Sequence, residues 1–484
     1  MKYTRESGIL PALCLAVSAA LATFLQPALG ATLPHVFGHN MVLQQGRRVP
    51  VWGKGLPGEV ITVRFAGQSV SATAGRDGRW RLDLAPLRAS SNGSEFCVCG
   101  TSETVFTNVV VGEVWFCSGQ SNMEFTMSRY RKVRNWRQEV AAANWPDIRH
   151  FRPPRRLSDS PLDDVDCTWE PTTPETIPPQ SAVAFMFGET LRKALGVPIG
   201  LINCSWGGSR IEPWIPAGHP DDLWLMQNVR RWDRKEDVPT AMWNGMVAGI
   251  VPFAIRGAIW YQGCSNVVDG ETYLEKTVSL VRGWRREWGQ GDFPYFLVQL
   301  PPYKYEGVRG TKLAILQMAQ SKVPESVPNS GYTVINDVGD VNEIHPDDKR
   351  TVGMRMAWQA LDRVYGRFVH PWRTPVAKAA KAEGSEIRVS FAYADGLGTR
   401  DGLQPSEFEI CDRTGVWKPA SARIDGCDVL VSAEGVAEPC GVRFAPYNGS
   451  LPNLVNGDGL PAGPFCISVP CNEAKPMKSQ ADRR

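Results

Sequence analysis

Between residues 109 and about 370, largely apolar runs alternate with stretches of helical period. No other feature of the chain limits its fold as much. Val114-Trp115-Phe116-Cys117, Ile199 to Cys204, Ile255 to Tyr261, Pro294 to Leu300 and Tyr332 to Ile335 are such runs. A strand apolar on both faces is what a parallel sheet shows when helices cover both of its sides. Ser181 to Leu195 has helical spacing and stops at Gly196, with Pro198 just beyond. Leu274, Val278, Val281, Trp284 and Trp288 repeat that spacing. The expected fold is α/β, a parallel sheet between two helical layers. Its ligand site belongs at the carboxyl ends of the strands.

The flanks read differently. In residues 31–108, short alternating runs such as Val60 to Phe65, Ser69 to Thr73 and Trp80 to Leu84 are punctuated by Gly67-Gln68 and Asp77-Gly78, which predicts a small β-sandwich. Residues 371–471 return to such segments, as in Glu386 to Phe391, and predict a second β domain. The tail 472–484 is polar, without an apolar pattern, and is expected to be disordered.

The first 30 residues read as a secretory signal peptide. Lys2 and Arg5 precede an apolar stretch from Ile9 to Leu25, and Ala28-Leu29-Gly30 supplies the small residues of a cleavage site, with the cut after Gly30. The expected location is outside the cell or periplasmic. No 18-residue apolar run follows, so no internal membrane span is expected. The net charge of +3 gives no electrostatic case for a nucleic-acid partner. Disulfides are permissible in an exported chain, and Cys411, Cys427, Cys440, Cys466 and Cys471 crowd the last quarter. Cys97-Val98-Cys99 has the wrong spacing for zinc, and the six histidines are scattered, so no metal and no cofactor are expected.

Four polar segments each follow a predicted strand. Cys117-Ser118-Gly119-Gln120-Ser121-Asn122-Met123 places a serine on a glycine-flanked turn, the mechanical logic of a nucleophile turn. Asn203-Cys204-Ser205-Trp206-Gly207-Gly208-Ser209 carries paired glycines whose N–H groups can approach an oxyanion. Trp260-Tyr261-Gln262-Gly263-Cys264-Ser265-Asn266 carries two amide donors, Gln262 and Asn266, which serve either the same oxyanion or local capping. Asp337 to Pro346 ends in His345 before what should be a helix starting at Pro346, with Asp347 and Asp348 in its first turn. Each segment alone is a weak signal; four at successive strand ends are not.

Gly112 to Glu124, together with Trp206-Gly207-Gly208, Trp260-Tyr261-Gln262-Gly263, Ile344-His345-Pro346 and the stretch around Asn244, resembles the sialate O-acetylesterase family of SGNH (GDSL-type) hydrolases. The resemblance covers most of residues 31–365. It implies an SGNH-hydrolase-like three-layer α/β/α fold with flanking β domains and an acetylated carbohydrate as substrate. Ser121 would be the nucleophile and His345 the general base. The Ser121 and Gly208 N–H groups and an amide of Gln262 or Asn266 would form the oxyanion hole. Trp206, Asn244, Trp260 and Tyr261 would line the sugar site.

Two departures stand out. Asn342 occupies the position three before the histidine where such hydrolases commonly carry aspartate, which leaves Asp340, the preferred candidate, or Glu343 to orient the imidazole. Cys264 replaces a usual glutamate. A disulfide to Cys204 and a pair of unpaired small apolar residues are its two readings. The leading function is a secreted carbohydrate O-acetylesterase acting on sialic acids or related acetylated glycans. The alternatives are a catalytically weak carbohydrate-binding protein and an exported esterase for non-sugar acyl groups. A glycosidase does not fit, because the motifs supply serine and histidine where paired carboxylates are needed.

Overall fold

The computed structural model describes residues 30–129, 132–218, 234–305, 307 and 309–470. Nearly all of the expected leader, the expected tail and Cys471 lie outside them.

Seven strands open the chain: β1 (Val42–Gln44), β2 (Val49–Lys54), β3 (Val60–Phe65), β4 (Gln68–Thr73), β5 (Arg79–Leu84), β6 (Ser90–Cys99) and β7 (Glu103–Gly119). β2 and β5 form an antiparallel pair, and β4, β3 and β6 form an antiparallel run that ends on β7. Trp80, Leu82 and Leu84 alternate inward along β5, as the period of two requires. β7 is much longer than the four apolar residues that announce it. Its first half pairs with β6 and β1. Its second half, buried throughout, is the centre of the parallel sheet.

The domain boundary expected at 108/109 therefore falls inside a strand. Asn108 marks the place with a left-handed backbone (φ 55°). The buried Arg149 guanidinium holds this turn, donating to the Asn40 and Asn108 carbonyls and, at 3.2 Å, to Asn108 Oδ1.

The parallel sheet is completed by β8 (Trp145–Phe151), β9 (Trp169–Thr172), β10 (Ile199–Ser205), β11 (Gly257–Tyr261), β12 (Tyr295–Val298) and β13 (Ser330–Thr333). Its order is β13-β12-β11-β7-β10-β8-β9, with only β9 antiparallel to its neighbour. The helices are α1 (Ser121–Glu124), α2 (Trp136–Ala142), α3 (Ala182–Leu195), α4 (Tyr273–Trp288), α5 (Lys312–Ser321), α6 (Val323–Ser326) and α7 (Lys349–Tyr365). Adjacent residues of β7 demonstrate the three layers. Trp115 packs edge-on against Phe187 of α3 at 5.1 Å, and Phe116 packs against Trp284 of α4 at 5.0 Å on the other face. The expected α/β/α arrangement is thus present. α3 begins where the sequence indicates, with Ser181 Oγ accepting from the Ala184 N–H, and closes on Gly196 in the left-handed conformation. α7 begins three residues later than expected. Asp348 takes the N-cap, accepting from the Thr351 N–H at 2.9 Å, while Asp347 pairs with Arg134.

Residues 376–468 form two four-stranded antiparallel sheets around a separate core that includes Ile387, Val389, Phe408, Ile410, Val442 and Phe444. This unit reaches the α/β unit through Asn448, which accepts from the Leu313 N–H, and through the Ala462 carbonyl, which accepts from Asn336. Cys204 and Cys264 are free thiols, and no disulfide joins them. Cys411, Cys427 and Cys466 are also free.

Where the sheets join, one buried carboxylate gathers four donors. Glu113 of β7 accepts from Gln44 (3.0 Å), Gln45 (2.6 Å), Arg256 (2.6 and 3.0 Å) and the hydroxyl of Tyr365 at the end of α7 (3.0 Å). Removing one partner of such a cluster leaves buried donors, one of them charged, without an acceptor. Glu113→Ala is expected to cost about 3–5 kcal/mol, read as a lower urea midpoint at unchanged slope.

Candidate active site

β7 ends at Gly119, whose φ of 143° and position leave no room for a side chain. A Cβ there would lie 2.2 Å from the Tyr261 carbonyl oxygen. This close approach lets the Gln120 N–H bond that oxygen at 3.0 Å, and the chain then turns into α1. Met123 and Glu124 both donate their N–H to the Gln120 carbonyl. Ser121 is the first residue of α1 and half-buried, whereas Asn122, Met123 and Glu124 are buried. A helix start leaves its first N–H groups unbonded within the helix. Among the described residues, the Ser121 N–H donates to nothing.

The Trp206-Gly207-Gly208 loop lies against this turn. A Cβ on Gly207 would meet Ser121 Cβ at 3.4 Å. Gly207 donates its N–H to Glu124 Oε2 at 3.0 Å. Glu124, almost fully buried, also takes Arg129 at 3.3 Å and Arg155 at 2.7 Å. Arg155 lies over the Trp206 ring, 5.3 Å from its centroid. Glu124 thus ties the serine turn, the glycine loop and the 155 segment together, a role the sequence reading missed although the residue closes the quoted signature. Gly208 adopts φ 79°, and its N–H donates to no described residue. Two backbone N–H groups, that of Ser121 and that of Gly208 in the adjoining glycine loop, therefore have no partner among the described residues.

The amides expected to join them do not. Gln262 is fully buried and donates both of its amide hydrogens, to the Ser209 carbonyl (3.1 Å) and to Asn266 Oδ1 (2.8 Å). Asn266 donates to Glu212 (3.1 Å) and Asp269 (3.4 Å). Both belong to a buried ionic cluster in which Lys276 and Arg210 bond Glu212 at 2.7 and 3.1 Å. Burial acts to raise the pKa of Glu212, but the two cations outweigh it and hold the carboxyl below its usual range. The cluster shapes the loop. No sequence signal marks Gln120, yet its Oε1 accepts from the Gly263 N–H at 2.9 Å and fastens this loop to the serine turn.

The sugar-site assignments shift similarly. Trp260 and Tyr261 are fully buried, Trp260 packing on Trp284 at 5.6 Å and donating to the Tyr273 hydroxyl. Asn244 is buried and donates to the Ser158 carbonyl at 3.2 Å. Those three are core residues, and only Trp206 keeps access to the site. Trp260 and Tyr261 do adjoin the motif, but on a strand covered on both faces proximity in sequence does not mean exposure.

His345 sits at the rim of the same site, 29% exposed. Its loop is held to the serine turn by Asn122, which donates to the Ile344 carbonyl at 3.0 Å. Its Nδ1 lies 3.5 Å from Glu343 Oε1, which also accepts the His345 N–H at 3.1 Å. Asp340, the preferred acid, is turned instead to its own loop, accepting from the N–H and side chain of Asn342 at 2.8 and 3.1 Å. The structure reverses that preference: Glu343 is the carboxylate beside the imidazole. The Lys132 ammonium, bonded at 2.8 Å, holds the Glu343 carboxyl below its usual range. Burial, and then the charge of Lys349, lower the His345 pKa against the pull of Glu343.

If the free imidazole does the work, the acid limb of kcat/KM lies below the ordinary histidine value of 6.5. Removing a carboxylate that stabilises the imidazolium lowers that pKa further. Glu343→Gln should therefore shift the limb to still lower pH. Turnover should fall roughly ten- to a thousand-fold, less than for a fully buried triad acid. A limb that moves upward would remove Glu343 from this role.

The matches to known proteins fall on the same residues. Residues 111–362 match the family described as carbohydrate esterase, sialic acid-specific acetylesterase. The sialate O-acetylesterase of Mus musculus is 27% identical over 464 residues, covering 81% of this chain and 84% of that protein. The sialate O-acetylesterase of Homo sapiens is 26% identical over 500 residues, covering 91% and 93%. The crystal structure of a novel carbohydrate acetylesterase from Xanthomonas citri superposes with a TM-score of 0.84 at 35% identity, over 90% of this chain and 99% of that one.

Proposed function

The chain belongs to the sialic acid-specific acetylesterase family of carbohydrate esterases, and as a carboxylic ester hydrolase of that family we propose that it cleaves O-acetyl groups from sialic acids or related acetylated glycans by a serine nucleophile. One observation carries the reading. A half-buried serine stands at a helix start, its own N–H and that of Gly208 in the adjoining glycine loop have no partner among the described residues, and a histidine loop is tied to its neighbour Asn122.

The steps follow from those groups. Ser121 Oγ attacks the acetyl carbonyl while His345 takes its proton. The Ser121 and Gly208 N–H groups receive the charge that develops on the carbonyl oxygen. One such donor is worth about a hundred- to a thousand-fold in rate. The sugar oxygen leaves with the proton from His345. Water then attacks the acetyl-enzyme as His345 takes its proton, the bond from Ser121 Oγ to the acetyl carbon breaks as His345 returns that proton to Oγ, and acetate departs. Glu343 orients the imidazole and stabilises its cation. Asn342, which suggested a weakened scaffold, is engaged with Asp340 and leaves Glu343 in place beside His345. The basic and apolar N-terminus supports export, so the substrate would be met outside the cytoplasm or in the periplasm. Trp206, with Arg155 across its ring, supplies a flat surface for a sugar face.

Acetate release from 9-O-acetylated sialic acid and from acetylated xylan, by the wild type and Ser121→Ala, tests the reading. The serine variant should lose about ten-thousand-fold or more. Release that persists in Ser121→Ala would sink the nucleophile. Release from the polysaccharide alone would keep the chemistry and move the substrate class. Trp206→Ala should raise KM about tenfold with kcat little changed. An unchanged KM would remove Trp206 from the sugar site.

A further inference from the structure

Lys349 is fully buried, an unusual state for an ammonium group. It is also the first residue of α7, where the helix dipole disfavours a cation. Among the described residues, no carboxylate lies within 4.0 Å of its Nζ. Asp347 and Asp348 on its own segment are instead paired with Arg134, each at 3.0 Å. Its one hydrogen-bond acceptor is neutral, Asn122 Oδ1 at 2.6 Å. The rings of Phe125 and Tyr261 face it at 5.0 and 5.8 Å. A cation kept in so poor a setting is a candidate for function.

Its contact has a directional consequence. An ammonium group can only donate, so it forces the Asn122 oxygen toward α7 and the Asn122 nitrogen toward the Ile344 carbonyl. The chain Lys349–Asn122–Ile344 thus runs from helix α7 to the residue after the nucleophile and on to the residue before His345.

Building on the serine–histidine reading above, we propose that Lys349 is a positioning residue of the esterase. It orients the Asn122 amide that holds the His345 loop to the Ser121 turn, and its charge opposes protonation of His345.

The charges around both groups are consistent with this. His345 feels Glu343 in favour of its cation and Lys349 and Arg129 against it, while Lys132 is bonded to Glu343. Lys349 feels Asp347, Glu343 and Asp348, which favour its charge, while burial pushes the neighbouring Cys264 thiol, bonded to the Tyr305 hydroxyl, up to about 11 so that it stays uncharged there. Burial brings the lysine pKa down to about 7. At the acid limb of activity the lysine is therefore still charged and acts on His345. Above neutrality the charge goes, but the neutral amine can still donate to Asn122.

Two variants test the proposal through pH profiles of kcat/KM for acetate release, with Ser121→Ala as the blank. Lys349→Met removes charge and donor. The acid limb should move up by about half a unit to one unit, and kcat should fall about tenfold or more at little change in KM. Cys264→Glu keeps the donor and offsets the charge. The limb should move up similarly while kcat stays within a few-fold. Melting temperatures report folding, and if Lys349→Met does not fold, Cys264→Glu decides alone. Folded variants with an unmoved acid limb overturn the proposal. Acetate release that persists in Ser121→Ala overturns the site reading instead.

Discussion

The buried carboxylate of Glu113 is the interaction on which the rest of the molecule depends. It lies midway along β7, where one strand leaves an antiparallel sheet and enters a parallel one. Its four donors come from the opening β unit, from the segment leading into β11 and from the end of α7. A buried ion with so many donors is stable only while all of those parts are in place. It therefore couples the N-terminal unit to the sheet that carries the chemistry. The two units share a strand, a hydrogen-bond cluster and one apolar core.

The site is built in the same way, from groups that hold loops and leave a few atoms free. Glu124 joins the serine turn to the glycine loop. The Glu212 cluster shapes the segment after β11. Asn122 joins the serine turn to the histidine loop. With the side-chain amides engaged in these tasks, the donors left at the serine are backbone N–H groups. Backbone donors suit an oxyanion because their direction is set by the fold and needs little reorganisation during the reaction.

Much of this was legible in the sequence, for reasons that can be named. Capping chemistry is local, so Ser181 and Gly196 bounded α3 correctly. The apolar runs marked β7, β10, β11, β12 and β13 but not the inner strand β8, and the motifs marked loops that follow four of them. What could not be read was the direction of each side chain. In a strand buried on both faces the period-two signal vanishes, so Trp260 and Tyr261 looked like wall residues and are core. Gln262 and Asn266 had the right chemistry, but they are engaged by the Ser209 carbonyl and by Glu212, which lie more than fifty residues away where no local pattern connects them. The choice between Asp340 and Glu343 was a matter of loop conformation, and Asp340 was taken by the Asx-type bond to Asn342.

The shared strand also sets a timetable for the growing chain. The first half of β7 finds β6 as soon as both are made, because they are neighbours in sequence. The second half must wait for β10 and then for β11, which ends at Tyr261. At about 5–20 residues per second, the stretch from Gly119 to Tyr261 takes roughly 7–30 s to synthesise. Until β10 is made, Val114-Trp115-Phe116-Cys117 has no neighbour on either edge, and from then until β11 is made one edge stays open. The nascent protein is most prone to self-association in that window, and cellular holding factors have the most to offer it there.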